Sequence, residues 1–545
     1  NKQNEHIIFN FKGAIFLKRK NFELAIEFFL KSINSKADFI DPYKNLFVIY
    51  DIKREFNQLL EITKKIYNFE KSNPIYNFQL GYALEKCGQI TESLKYYEFA
   101  LNLGFKNKLI ICNNIGNIYL KLNKIKDSIR YFKLGFETDD QNKIIVNNLI
   151  RAYLQNRDLE KAKSYLEKAK NIDPNYEEYN YNKAEYLYLI FEFEKAIEIL
   201  KKQISEKKDI KNNLLLCRIY FNQGKKEEGN QLIEKFYKEN PNNNQIKNFV
   251  GIRYLCEGKF EKGWEFYEFR DFKEKDTSFQ NVKIWKGENL EESTILVTCE
   301  QGLGDILQFS KFLLNLSPIC KKIDFMLYDK LLPIYKKKIQ NIKVCEKKDV
   351  QENNYDYKIS LGSLNKYFYK SKNSKSSDLI NFDNNKKNEW NSILSNKKKN
   401  IGLIWSGYFF GPKQPSRSIE LKNFQKILEL DLNFYSFQTE IWSRDKEFFD
   451  NSNIIDLSKK NLSEILAIIK NLDLVISADT FFLHLSCICS KETWGLIGLD
   501  ADWRWYEYYK HNPYETLKIY KQHDYRSWDN VIQNIYNDLK IKFSI

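Results

Sequence analysis

A helical repeat array followed by two α/β lobes is the fold class that three observations in this sequence predict. Small or apolar marks recur at a spacing near 34 residues through the first half of the chain, and the recurrence stops after about Arg270. All nine tryptophans lie from Trp264 onward. The later part alternates short β-branched runs with helical patterns, which argues for parallel sheets with crossover helices.

The repeat is anchored on Gly13, Phe47, Gly81, Gly116, Ile150, Ala184, Cys217 and Gly251, at spacings of 34, 34, 35, 34, 34, 33 and 34. A small residue follows twelve positions after the mark and a large apolar one sixteen after, as in Ala25 with Phe29, Ser93 with Tyr97, Ser128 with Phe132, Ala162 with Leu166, Ala196 with Leu200 and Gly263 with Tyr267. Proline breaks stand at Asp41-Pro42, Asn73-Pro74, Asp173-Pro174 and Asn240-Pro241. A fixed period of this length is the signature of a stacked helix-pair array. The pattern resembles the tetratricopeptide repeat, which implies a superhelix of about eight units over residues 1–275 with a concave groove for a protein or peptide partner. Two positions before five successive marks stand Asn45, Gln79, Asn114, Asn148 and Asn182. Resemblance to O-linked sugar transferases that carry such superhelices implies that these carboxamides grip an extended peptide backbone, since an amide both donates and accepts. The alternative is that asparagine is frequent at this position of the repeat for structural reasons.

Strands are expected at 295–298, 323–328, 359–361, 401–405, 433–437 and 472–477, dividing the second half into lobes at 276–396 and 397–545. Residues 370–400, rich in Ser, Lys and Asn, read as a connection with one short helix at 389–394. Three strand ends carry polar marks. The first is Glu300-Gln301-Gly302-Leu303-Gly304-Asp305, a strand end and glycine turn before an amphipathic stretch at 306–316. The second is Trp405-Ser406-Gly407, with a loop to Arg417-Ser418-Ile419. The third is Ile476-Ser477-Ala478-Asp479-Thr480, entering a helix that carries His484. Ligands of open α/β sheets bind where strand carboxyl ends meet helix N-termini, so these positions are suited to chemistry. Thr480 and His484 lie four apart on one helix face, near free N–H groups that attract phosphate. Each residue also has a structural reading: Asp305, Asp479 or Thr480 as helix caps, His484 as a satisfied core histidine.

In order, 300–308, 401–407, 417–421, 472–484 and Asp502-Trp503-Arg504-Trp505 resemble bacterial tetratricopeptide proteins with a heptosyltransferase-like glycosyltransferase domain of the two-lobe, Rossmann-like GT-B architecture. The Gly-Trp-x-x-Tyr-x-x-Arg stretch ending at Arg270, and Ile284-Trp285-Lys286-Gly287, are similar to the same family. The resemblance implies that Asp305 is the general base. It implies that Gly302, Gly304, Ser406, Gly407, Asp479, Thr480 and His484 line the nucleotide-sugar site. Arg417, backed by Lys413, would stabilise the leaving diphosphate without a metal. The nucleotide sugar is then a substrate, and no cofactor is expected. A flagellin-like or other protein is the implied acceptor, with a lipopolysaccharide or surface polysaccharide, or a non-catalytic adaptor, as alternatives. Phe481 and Phe482 depart from the small residues usual after Asp-Thr, and the first lobe is short for the family.

Composition narrows the classes further. The net charge of +15 comes from lysine, which outnumbers arginine 75 to 12. Nucleic-acid modules cluster arginine for phosphate and base forks, so no nucleic-acid partner is expected. No run reaches the roughly 18 apolar residues of a membrane span. The nine cysteines lack metal spacing and read as reduced thiols, so a cytoplasmic location is expected. The chain begins at Asn1 and its sole methionine is Met326, which leaves a removed leader open.

Overall fold

The computed structural model describes residues 4–207, 209–270, 279, 281–371, 375–394, 397–407, 417–499, 501–505, 514–524 and 527–545. The chain divides into two compact units, Asn1–Tyr186 and Leu187–Ile545.

Paired helices run from Glu5–Lys18 to Phe260–Tyr267 and carry the 34-residue period. The reason for the small marks is direct. A Cβ on Gly13, Gly81 or Gly116 would come within 2.7, 2.9 or 2.4 Å of the ring sixteen residues later, Phe29, Tyr97 or Phe132. Those three rings are fully buried, so they cannot swing aside. Seven helix-capping side chains close the first turn: Asn21, Asn73, Asn107, Asn142, Asp158, Asp209 and Asn243 each accept from a backbone N–H two or three positions on. Pro42 and Pro74 sit at the starts of their helices, where a missing N–H costs nothing.

A second periodic feature was not visible in the residue types. Lys20, Arg54, Gly88, Asn123, Arg157, Phe191, Gly224 and Gly258 all have positive φ, between 57° and 78°. Each lies seven residues after a mark, at the turn between the two helices of a unit. The turn geometry therefore persists even in the units whose mark is the bulky Phe47 or Ile150.

The α/β part holds two six-stranded sheets. The first is built from β1 (Lys283–Ile284), β2 (Leu290–Thr298), β3 (Cys320–Met326), β4 (Lys338–Ile339), β5 (Ile342–Cys345) and β6 (Tyr357–Ser360), in the order β1-β6-β2-β3-β5-β4. Its strands are parallel except for the β4–β5 pair. The second holds β7 (Lys399–Ile404), β8 (Leu432–Ser436), β9 (Ile454–Asp456), β10 (Leu474–Ala478), β11 (Thr493–Ile497) and β12 (Leu517–Lys521), all parallel, in the order β12-β11-β10-β7-β8-β9. Central strands such as β10 and β11 are buried along their whole length, as expected for a parallel sheet covered on both faces.

All six expected strands are present, and six more are added. The edge strands β1, β4 and β9 have only two or three residues, too few for any periodicity. Two expectations need correcting. The stretch 306–316 is not one helix: helix Leu303–Phe309 passes into a 3₁₀ turn at Ser310–Phe312 before Leu313–Leu316. Ser310 is fully buried, and its hydroxyl donates to the Leu307 carbonyl while accepting from Tyr335, a local bond that competes with regular helix. The segment 370–400 is more than a connection. Its helix begins at Asn384, buries Trp390 and Leu394, and is tied to helix Leu462–Asn471 through Lys386 to Ser463 and Asn471 to the Lys387 carbonyl.

The repeat helices end at Tyr267 and the first strand begins at Lys283. The compact division nevertheless falls at Tyr186/Leu187, inside the repeats. The cause is packing: Leu255, Trp264 and Tyr267 of the last repeat share one hydrophobic core with Trp285, Phe309 and Trp503 of the α/β part.

Two substitutions test this account by chemical denaturation. Gly116→Val should destabilise the protein by about 1–3 kcal/mol through overpacking against Phe132. Arg54→Gly, at an exposed left-handed position with φ 57°, should stabilise it by about 1 kcal/mol.

Candidate functional site

The segment after β2 meets the second lobe at its first helical turn. Gly302 caps helix Leu303–Phe309 in an extended conformation, φ −65°, so it is not there for a left-handed turn. Gly304 has a different constraint: a Cβ there would lie 2.8 Å from Cδ2 of His484. The glycine lets the helix that carries Asp305 approach the helix that carries His484, Phe481–Ile488.

Asp305 is in a cap-like position and in an ion pair at once. Its Oδ2 accepts from the Gly302 N–H at 3.2 Å, and its Oδ1 is paired with Arg504. Arg504 also donates to Gln308 Oε1 at 2.9 Å and pairs with Asp502 at 3.2 Å. Burial pushes the Asp305 carboxyl above its ordinary pKa, against the opposing pull of Arg504.

Opposite, Arg417 pairs with Asp479 at 2.8 Å. The presentation of Arg417 is built by Ser406 and Gly407: Ser406 bridges Ser418 antiparallel, and the Gly407 N–H donates to the Arg417 carbonyl at 3.2 Å. Ser406 is buried, its backbone exchanging two hydrogen bonds with the Gln438 carboxamide, while its hydroxyl has no hydrogen-bond partner among the described residues. Lys413 lies outside the described residues. Thr480 caps helix Phe481–Ile488 and shares a 3.1 Å hydrogen bond with Ser477.

His484 is 4% exposed, hydrogen-bonded through Nδ1 to the Tyr514 hydroxyl at 3.0 Å and stacked on Trp505. Burial, with Arg504 nearby, lowers its pKa from 6.5 to about 3. It is therefore a neutral imidazole, and it can offer a hydrogen bond but no charge. Phe481 and Phe482 pack on each other, and Phe482 continues onto Phe437.

Asp305, Arg417, Asp479 and His484 are thus brought into one electrostatic cluster, together with two groups whose roles residue patterns alone did not disclose, Asp502 and Arg504. Three further residues tie the last repeat to this place. Arg270, 2% exposed, pairs with Glu300 at 2.7 Å and with Glu268 at 3.0 Å, and donates to the Tyr267 carbonyl and to Ser363. Gln301 donates to the Tyr267 hydroxyl at 2.6 Å. Trp503 lies edge-on to Trp264 at 4.9 Å and stacks over Phe309. Arginine scarcity was the usable signal: in a chain that favours lysine so heavily, Arg270, Arg417, Arg444 and Arg504 of the α/β part all sit on carboxylates.

The repeat amides are placed differently from one another. Asn45 donates to Asn10, Asn148 to Asn113 and Asn182 to Asn147, each bridging to the carboxamide 35 residues earlier. Asn114 instead donates to the Tyr97 hydroxyl, and Gln79 Oε1 is buried without a partner among the described residues. In four of the five positions the amide donor is engaged inside the repeat array.

Among the described residues no group of three His, Cys, Asp or Glu is placed to hold a metal ion, and no helix is long and apolar enough to cross a membrane. All nine cysteines are free thiols.

A tetratricopeptide-repeat family model matches residues 110–142 and 148–176. Similar solved structures include a tetratricopeptide repeat protein from Parabacteroides merdae, 17% identical over 42% of this chain and 91% of its own, with a TM-score of 0.39. YrrB, described as a TPR protein with an unusual peptide-binding site, is 21% identical over 34% of this chain and 94% of its own, with a TM-score of 0.29. MamA is 15% identical over 31% and 92%, with a TM-score of 0.30. No curated protein matches the chain. The N-terminal region carries tetratricopeptide repeats, and the region after it is α/β with two parallel-type sheets.

Two measurements probe the cluster. Arg504→Gln leaves Asp305 and Asp502 without their shared cation and should cost about 3 kcal/mol in denaturant unfolding, with part recovered in the Asp305→Asn, Arg504→Gln double variant. His484 has a folded pKa below its unfolded value, so its contribution to stability is present above pH 6.5 and is lost as pH falls toward about 3. The difference in unfolding free energy between wild type and His484→Gln should shrink through that window.

Proposed function

We propose that the chain is a glycosyltransferase of the two-lobe GT-B kind, moving a sugar from a nucleotide-sugar donor to an acceptor, with protein or peptide recruited by the repeats as the acceptor class. The observation that carries this reading is the convergence of Asp305, at the carboxyl end of one parallel sheet, with Arg417 and Asp479, at the carboxyl ends of another. A carboxylate and a guanidinium from two different sheets are what transfer to a hydroxyl requires: one takes a proton and the other receives a departing diphosphate.

In the proposed reaction the acceptor hydroxyl oxygen attacks the anomeric carbon as Asp305 takes its proton, and the bond from that carbon to the diphosphate oxygen breaks. Burial raises the affinity of Asp305 for that proton, which suits a base. Arg504 must release Asp305 for this step, and Asp502 and Gln308 are its remaining partners. The charge developing on the diphosphate is met by Arg417, by the Thr480 hydroxyl and by the free N–H groups at the start of helix Phe481–Ile488. His484, being neutral, contributes by holding Gly304 and Tyr514 in place. A cytoplasmic setting is part of the proposal.

A second reading, a non-catalytic protein-binding adaptor, is favoured by one observation. Asp305 and Asp479 are already paired with Arg504 and Arg417, so the cluster is self-neutralised. Calorimetric titration with UDP, ADP, GDP and CDP separates the two. The transferase reading expects one of them to bind, with affinity reduced at least about tenfold by Arg417→Ala. With the matching sugar nucleotide, Asp305→Asn should lower turnover by about 10²–10⁴-fold and leave nucleotide affinity in place. If none of the four binds, the adaptor reading stands.

A further inference from the structure

The first sheet has a cavity that the charged cluster does not use. It opens at the carboxyl ends of β1, β6 and β2, where Trp285 follows β1, Ser360 ends β6 and Thr298 ends β2. Its volume of ≈ 80 Å³ has room for roughly six water molecules, about the size of one six-membered ring with its substituents.

The wall chemistry is specific. Trp285, 4% exposed, donates its indole N–H to the Glu288 carbonyl at 2.8 Å, so it offers the cavity an apolar surface and no donor. Tyr367 packs against it with ring centroids 4.4 Å apart, too close for a flat ligand to enter between them. The lining also includes the hydroxyl-bearing residues Thr298, Ser360 and Ser363, and the apolar Ile284 and Ile359. The two charged residues of the lining are Glu268, which accepts from Arg270, and Lys358, whose ammonium donates to the Phe279 carbonyl. One positive and one negative group give the lining no net charge to attract an anion such as a phosphate or a cation such as an amine. What remains is apolar surface and three hydroxyl-bearing side chains, of which Ser363 already accepts from Arg270; a hydroxyl can both donate and accept. A pyranose has the matching surface: a C–H face for the aromatic wall and a rim of hydroxyls for the three side chains.

From this juxtaposition we propose that the cavity binds a single neutral pyranose ring. If the transferase reading holds, and only then, that ring belongs to the acceptor. Thr298 stands seven residues before Asp305 on the same strand-to-helix segment, and Ser363 is held by the same Arg270 that fixes Glu300. The cavity and the base thus lie on one strand-to-helix segment fixed by Arg270, and the acceptor would be a saccharide or an already glycosylated protein.

Saturation-transfer NMR on the full chain, with methyl α-glucoside, methyl α-galactoside and the methyl glycoside of N-acetylglucosamine, tests the assignment. Transfer is expected to the ring C–H protons of at least one of them. Binding should weaken by about tenfold in Ser360→Ala or Thr298→Val, and should be unchanged in Arg417→Ala. Ser360→Phe, which fills the cavity, should abolish it, with circular dichroism reporting that each variant is folded. No transfer from any of the three glycosides, or transfer unaltered in Ser360→Ala, Thr298→Val and Ser360→Phe, overturns the proposal. Nucleotide titration fails or succeeds independently. Pyranoside binding without nucleotide binding removes the transferase and keeps the cavity, whereas nucleotide turnover without pyranoside binding removes the cavity and keeps the transferase.

Discussion

The guanidinium of Arg270 is the constraint on which the α/β half depends. A fully buried cation is tolerated only when its hydrogen-bond donors and its charge are both satisfied. Arg270 achieves this with Glu300, Glu268, Ser363 and the Tyr267 carbonyl. Because those partners come from the end of the last repeat helix, from the turn after β2 and from the turn after β6, one side chain holds three separate chain segments in register. Gly362 shows how tight the arrangement is: a Cβ there would stand 2.7 Å from Glu300 and 3.2 Å from Arg270.

Everything placed beyond that anchor follows from it. The turn held by Glu300 and Gln301 leads directly into helix Leu303–Phe309, and that helix carries Asp305 against Arg504 and Gly304 against His484. Trp503 fills the space between Trp264 and Phe309, so the segment that presents Arg504 is positioned by apolar packing and by charge together. The last repeat is for this reason part of the α/β body in packing terms, although its helices continue the 34-residue pattern in sequence.

The repeats and the α/β part differ in how openly their physics is written in residue types. In the repeats the buried rings of Phe29, Tyr97 and Phe132 each need a glycine sixteen positions earlier in the same unit, a local requirement that recurs and so declares itself. The site is assembled from residues far apart in the chain. Asp305 and Arg504 are 199 positions apart, and neither type of residue is unusual at its own place. The candidate residues Asp305, Arg417, Asp479 and His484 were legible because strand ends and helix starts are. Their pairings were not, nor was the neutrality of His484, which burial causes. The amides at Asn45, Asn148 and Asn182 were legible as a row, yet their engagement with Asn10, Asn113 and Asn147 depends on how successive units stack.

By itself the sequence determined the period, the small-residue contacts that enforce it, the change from repeats to α/β structure, and six of the strands. Those are consequences of interactions within about forty residues, where composition and spacing carry the information. Only the tertiary structure decided that the final repeat joins the α/β core, that Asp305 is paired with Arg504, that Arg417 meets Asp479, and that a neutral cavity opens beside Trp285. These depend on contacts between distant segments, whose energies come from burial and charge pairing and leave no periodic trace in the chain.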